Sequence, residues 1–98
     1  MAKYVYAYTG GSMAETEEEQ AAAMAAWGAW FGQLGSAVVD GGNPFGASTK
    51  VGNGGGVGLS GYSIVQADSL DAAAKLTDGC PILASGGGID VYETIEVM

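Results

Sequence analysis

"GYSIVQADSLDAAAKLTDG" spans Gly61–Gly79 and holds a strand followed directly by a helix. Tyr62, Ile64 and Gln66 fall on one parity, and Ser63, Val65 and Ala67 on the other. That is the period of two that a pleated strand imposes. Asp68 or Ser69 is placed to cap the helix, and Asp71 suits the positive end of its dipole. Leu70, Ala73, Ala74 and Thr77 share a helical face. Gly79 closes the helix, and Pro81 forbids its continuation.

Downstream, "GGIDVYETIEV" (Gly87–Val97) is predicted as a strand. Ile89, Val91, Ile95 and Val97 share one parity, interrupted by Glu93. Upstream, the glycines of Gly52–Gly61 predict a loop, "ASTKV" (Ala47–Val51) a short strand, and "SAVVDGG" (Ser36–Gly42) another short strand closed by glycines. Further back, "SMAETEEEQAAAMAAWGAWFGQLG" (Ser12–Gly35) predicts a long helix. Ser12 with Glu15, or Thr16 with Glu19, forms its cap. Its acids Glu15, Glu17, Glu18 and Glu19 suit a helix start. Met24, Trp27, Phe31 and Leu34 lie on one face with Trp30 at its edge, and Gly35 stands at the stop. At the front, "KYVYAYT" (Lys3–Thr9) alternates Tyr4, Tyr6 and Tyr8 with Val5 and Ala7.

The order β-α-β-(β)-β-α-β predicts a single α+β domain over residues 1–98. Its arrangement is a ferredoxin-like split βαβ with an antiparallel sheet and two helices on one face. Such a sheet leaves its other face bare. The tyrosines of the first strand are assigned to that face, and a second copy of the chain is expected to cover it as a homodimer.

Composition narrows the partners. Apolar residues make up 48% of the chain and charged residues 14%, which is low for a soluble monomer surface and favours association. The net charge is −8, with three lysines, no Arg and no His. Without cations to displace counterions, neither nucleic acid nor an anionic membrane is an expected partner. Cys80 is the only cysteine, so no disulfide closes within the chain and no Cys-based metal cluster fits. No metal or other cofactor is expected. "KYVYAY" lacks the basic and apolar regions of a signal peptide, so none is expected and a cytoplasmic location is the default expectation.

"AVVDGGNPFGASTK" (Ala37–Lys50) tests one further chemistry. Gly41 and Gly46 have P-loop spacing, but Ala47 stands where the motif needs Lys, and Pro44 removes an N–H from the cradle. A turn is the better reading. Without His, neither a Ser-His-Asp triad nor a Cys-His dyad can form. Cys80, beyond a helix C-terminus, is expected as a packed thiol. Asp40, ending an apolar strand, and Glu93, on an apolar face, are the candidate acid–base residues. Their plain alternatives are a turn residue for Asp40 and, for Glu93, a bulge or a bond to a neighbouring Tyr or Ser. Tyr6, Tyr8, Tyr62 and Ser63 are the candidate ligand-binding residues, in a pocket between sheets.

"GYSIVQADSLDAAAKLTDGCP", "GGGIDVYE" and "WGAWFGQLGSAVVDGGNPFG" together resemble the YCII-related family, which includes the DGPF proteins. The resemblance implies a ferredoxin-like fold pairing into a dimeric α/β barrel, with a cleft between the sheets as its site. Two family features are missing. Met24 lies near the place of the His of a His–Asp dyad, and Asn53–Gly54–Gly55–Gly56 occupies the region of the Asp-Gly-Pro-Phe motif. The dyad chemistry therefore does not carry over. The expected function is small-molecule binding between sheets. The alternatives are an acid–base isomerase or lyase on a small polar or aromatic substrate, and a regulatory protein–protein interaction module.

Overall fold

The computed structural model describes residues 1–11, 15–53 and 58–97. The predicted Ser12 cap and the segment Gly54–Gly56 lie outside the described residues. The chain forms β1 (Ala2–Thr9), α1 (Glu17–Leu34), a 3-10 turn at Gly35–Ala37, β2 (Val38–Asp40), β3 (Leu59–Ala67), α2 (Leu70–Lys75), α3 (Pro81–Ala84) and β4 (Gly88–Glu93). The strands make one antiparallel sheet in the order β2-β3-β1-β4. No described helix is long and apolar enough to cross a membrane.

Sheet register decides which side chains meet the helices. Tyr4, Tyr6 and Tyr8 lie opposite Val65, Ser63 and Gly61 on β3, and opposite Glu93, Val91 and Ile89 on β4. This row is the core face: the three tyrosines are at most 4% exposed and cluster with Trp30, Leu34, Ala73, Cys80 and Ile82 from the helices. The expectation that a second copy buries the tyrosines is therefore corrected. The protein's own helices bury them. The face without helices carries Lys3, Val5, Ala7 and Thr9 of β1, Tyr62, Ile64 and Gln66 of β3, and Asp90 and Tyr92 of β4.

Local chemistry explains most element boundaries. Thr16 caps α1 by accepting the Glu19 N–H at 3.0 Å, and the Glu19 carboxylate accepts the Glu15 N–H at 2.8 Å. Trp30 lies at the centre of the helix's buried stripe, not at its edge, whereas Met24 is 76% exposed. Ser69 caps α2 by accepting the Ala72 N–H at 3.1 Å. That helix ends after Lys75, leaving carbonyls without helical partners. Two aromatic donors from the core satisfy them: Tyr6 Oη donates to Ala73 O, and Trp30 Nε1 donates to Leu76 O at 3.2 Å. The face that packs is Ala72, Ala73 and Leu76, rather than one containing Leu70, which is half exposed.

Four further expectations change. The second helix ends at Lys75, short of the stop expected at Gly79, and Pro81 instead opens α3 at a position where its missing N–H costs nothing. Ala47–Val51 forms no strand. The glycine-rich loop is shorter than predicted, because β3 begins at Leu59. The last strand ends at Glu93, so Ile95 and Val97 stand outside the sheet and are exposed.

Candidate functional site

The site grows from an irregular sheet edge. Val38 pairs with Val65, Asp40 with Ile64, and Pro44 with Gly61. Between the first two pairs β2 gains one residue on β3, and between the last two residues 41–44 gain another. Bulges of this kind bend a strand and re-aim the residues beyond them. Here they lift Gly41–Asn43 into an arch that returns to β3 where the Phe45 N–H donates to Ser60 O at 2.9 Å. The Phe45 ring stacks on Tyr62 with centroids 5.7 Å apart.

Two glycines permit this path. At Gly42 φ is +72°, and a Cβ would lie 1.8 Å from Tyr62 O. At Gly61 a Cβ would press on Asn43 O at 3.1 Å and Pro44 Cα at 3.2 Å. Only residues without side chains let the two backbones approach this closely.

Under the arch lies a cavity of about 350 Å³. Tyr8 of β1 and Ala23, Met24, Trp27 and Phe31 of α1 form one wall; Gly41–Pro44 and Gly61–Ser63 form the other. The aromatic wall is held by its own packing. Tyr8 meets Trp27 edge-on at 5.2 Å, and Trp27 lies 5.9 Å from Phe31. Tyr8 Oη donates to Ser63 Oγ at 2.8 Å, and Ser63 Oγ donates to Gly41 O at 2.7 Å, which fastens the arch to the core.

Of the sequence-predicted site residues, Tyr8, Tyr62 and Ser63 come together in this lining. Tyr6 does not line it, its hydroxyl being spent on Ala73 O. Neither acid lines it either. The Asp40 carboxylate accepts the Gly42 N–H at 2.9 Å, the geometry of a turn residue. Glu93 accepts a long hydrogen bond from Tyr4 Oη at 3.4 Å. Asp40 and Glu93 lie on the two edge strands, three strand spacings or about 14 Å apart across the sheet. They do not face one ligand together within the chain.

Burial keeps the core's titratable groups neutral. Burial pushes the Tyr6 phenol up to about 12. It raises Tyr8 further, against a smaller opposing effect of the Ser63 hydroxyl. Tyr4 is raised by burial and then by the Glu93 carboxylate, and the Cys80 thiol is raised by burial. At neutral pH these groups offer hydrogen bonds and packing, not a phenolate or thiolate base.

Sequence reasoning missed the helical half of this site. Met24, Trp27 and Phe31 were legible as one stripe, but that stripe reads equally well as core. Only the sheet-edge bulges separate the two roles, and they leave no sequence signal beyond Gly41–Gly42. Comparisons of the chain with protein-family models, with curated proteins and with solved structures found no match.

Proposed function

We propose that the protein binds a small molecule in the cavity between α1 and the Gly41–Pro44 arch. One observation carries this reading: a cavity of about 350 Å³ with aromatic and aliphatic walls and, among the described residues, no carboxylate or amine in its lining. Ligand sites are commonly concave and mostly apolar with a few placed polar groups, and run from roughly 300 to 1,000 Å³. An acid–base enzyme needs a carboxylate within reach of its substrate, and Asp40 and Glu93 lie outside the lining. The cavity therefore favours binding over acid–base catalysis. The test is a titration with a neutral ring compound, followed at the amides of the arch and the indole N–H of Trp27.

The strand order β2-β3-β1-β4 and the alternation of strands and helices support a ferredoxin-like split βαβ arrangement, as the YCII-related resemblance implies. The homodimer is proposed on a new basis. The bare sheet face carries Val5, Ala7, Ile64 and Tyr92, with Tyr92 58% exposed. It also carries Lys3 and Asp90, charges that a two-fold copy can pair across the interface. Sedimentation equilibrium is expected to give a dimer at micromolar concentration, and Tyr92→Lys to shift it toward monomer. A stable wild-type monomer contradicts the pairing.

A further inference from the structure

The hydrogen-bond groups of the lining favour no one ligand. Gly41 O can only accept, whereas the Trp27 indole N–H and the Tyr62 hydroxyl have no partner among the described residues and can donate. A ligand can answer either kind, so selection falls to charge.

The charge around the cavity has one sign. The chain carries −8 overall with no Arg or His, and none of its three lysines lines the cavity. Lys75 pairs with Asp71 at 3.0 Å, and Lys3 lies on the helix-free sheet face. The Asp40 carboxylate is outside the lining, but it accepts the N–H of Gly42, a lining residue, at 2.9 Å and so hangs on the arch itself. An anion beneath the arch meets this charge with no cation to offset it, and a cation meets it favourably.

The opposite wall suits a cation as well. Trp27 and Phe31 are only partly buried, and their rings, 5.9 Å apart, give the cavity an aromatic side. Aromatic faces attract cations, Trp most strongly. A quaternary ammonium matches such a wall best, because its methyl groups are apolar and it needs no hydrogen bond.

We infer that the cavity prefers a small organic cation, a quaternary ammonium above all, seated between the Trp27–Phe31 wall and the arch that carries Asp40, and that it discriminates against carboxylates. Neutral rings enter by packing alone, and positive charge adds to that packing. This deepens the small-molecule reading and rests on it.

Three probes of one shape isolate the charge: choline, neohexyl alcohol (carbon in place of the charged nitrogen) and the anion of tert-butylacetic acid. Choline and neohexyl alcohol carry the same hydroxyl, so its hydrogen bonds cancel between them. Each probe is titrated by NMR against the wild type, Asp40→Asn and the cavity-filling Ala23→Phe, read at the Gly41 and Gly42 amides and the Trp27 indole N–H. Asn keeps an acceptor for the Gly42 N–H and removes only the charge. On the wild type choline is expected to bind about threefold or more tighter than neohexyl alcohol, the scale of one cation–π contact, with the anion weakest. Asp40→Asn should cut that advantage about twofold, the scale of a solvent-screened charge pair, and leave neohexyl alcohol unchanged. A structural effect of the substitution would weaken both alike. If neohexyl alcohol or the anion matches choline on the wild type, the cation preference is wrong while the binding site stands. If Asp40→Asn leaves the advantage of choline intact, the seat beside the Asp40-bearing arch is wrong. If no probe binds, or Ala23→Phe binds all of them unchanged, the binding site itself is wrong and this inference with it.

Discussion

Trp30→Ala is expected to remove about 4 kcal/mol of stability, the middle of the range for truncating a buried aromatic. A domain of this length has about 5–15 kcal/mol in total, so the variant should keep its fold with a much reduced margin against denaturant. The size of the effect reflects the number of partners Trp30 joins. It is 2% exposed and lies 6.1 Å from Tyr6, 5.8 Å from Trp27 and 5.1 Å from Phe31, centroid to centroid. Its Nε1 also caps Leu76 O, so the truncation leaves a cavity and an orphan carbonyl together. Urea denaturation followed by circular dichroism measures it. A loss below about 0.5 kcal/mol, the scale of an ordinary surface substitution, contradicts a central role for this side chain.

Gly42→Ala is expected to cost about 3 kcal/mol, from a left-handed backbone and a backbone collision acting together. A methyl group 1.8 Å from Tyr62 O has no flexible neighbour to displace. Either the arch lifts from β3 or β3 bends, and both outcomes open the cavity. The variant should therefore lose ligand uptake as well as stability. Gly41→Ala is the matched control, because its Cβ would reach only the Phe31 ring at 3.8 Å, an ordinary contact. Thermal unfolding of the two variants distinguishes them: at about 4–8 °C per kcal/mol for a domain of this size, Gly42→Ala should melt more than 10 °C lower. Equal melting temperatures contradict the close approach of arch and strand.

Both residues show how far the sequence could be read. The alternation of Lys3–Thr9 and Gly61–Ala67 predicted β1 and β3, and Ser69 and Thr16 predicted their helix starts. Which side of the sheet met the helices was harder, because both rows of β1 contain apolar residues. The distinguishing signal lay at the row ends. Lys3 and Thr9 share the parity of Val5, and Gln66 and Asp90 join them across the register, so the polar groups gather on the face opposite Tyr4, Tyr6 and Tyr8. Small residues opposite the tyrosines, Gly61 and Ser63, marked the packed side.

Other features depended on partners that composition does not reveal. Ala47–Val51 has strand-favouring residues but pairs with no strand among the described residues, and propensity alone does not hold an extended segment in place. Ile95 and Val97 continue the alternation of β4 beyond the last pairing. The Thr94 N–H still donates to Lys3 O, but the ladder with β1 ends at the Tyr4–Glu93 pair. The two bulges at residues 38–44 depend on how the edge of β3 is shared. From sequence the glycines there signalled a turn, and the turn proved to be the roof of a cavity.

Heteronuclear NMR of the wild-type protein titrated with indole tests the cavity most directly. Saturable shifts are expected at the amides of Gly41, Gly42 and Ser63 and at the Trp27 indole N–H, with little change at Val5, Ile64 and Tyr92. Shifts confined to the helix-free sheet face, or no saturable shift at all, contradict a ligand site beneath the arch.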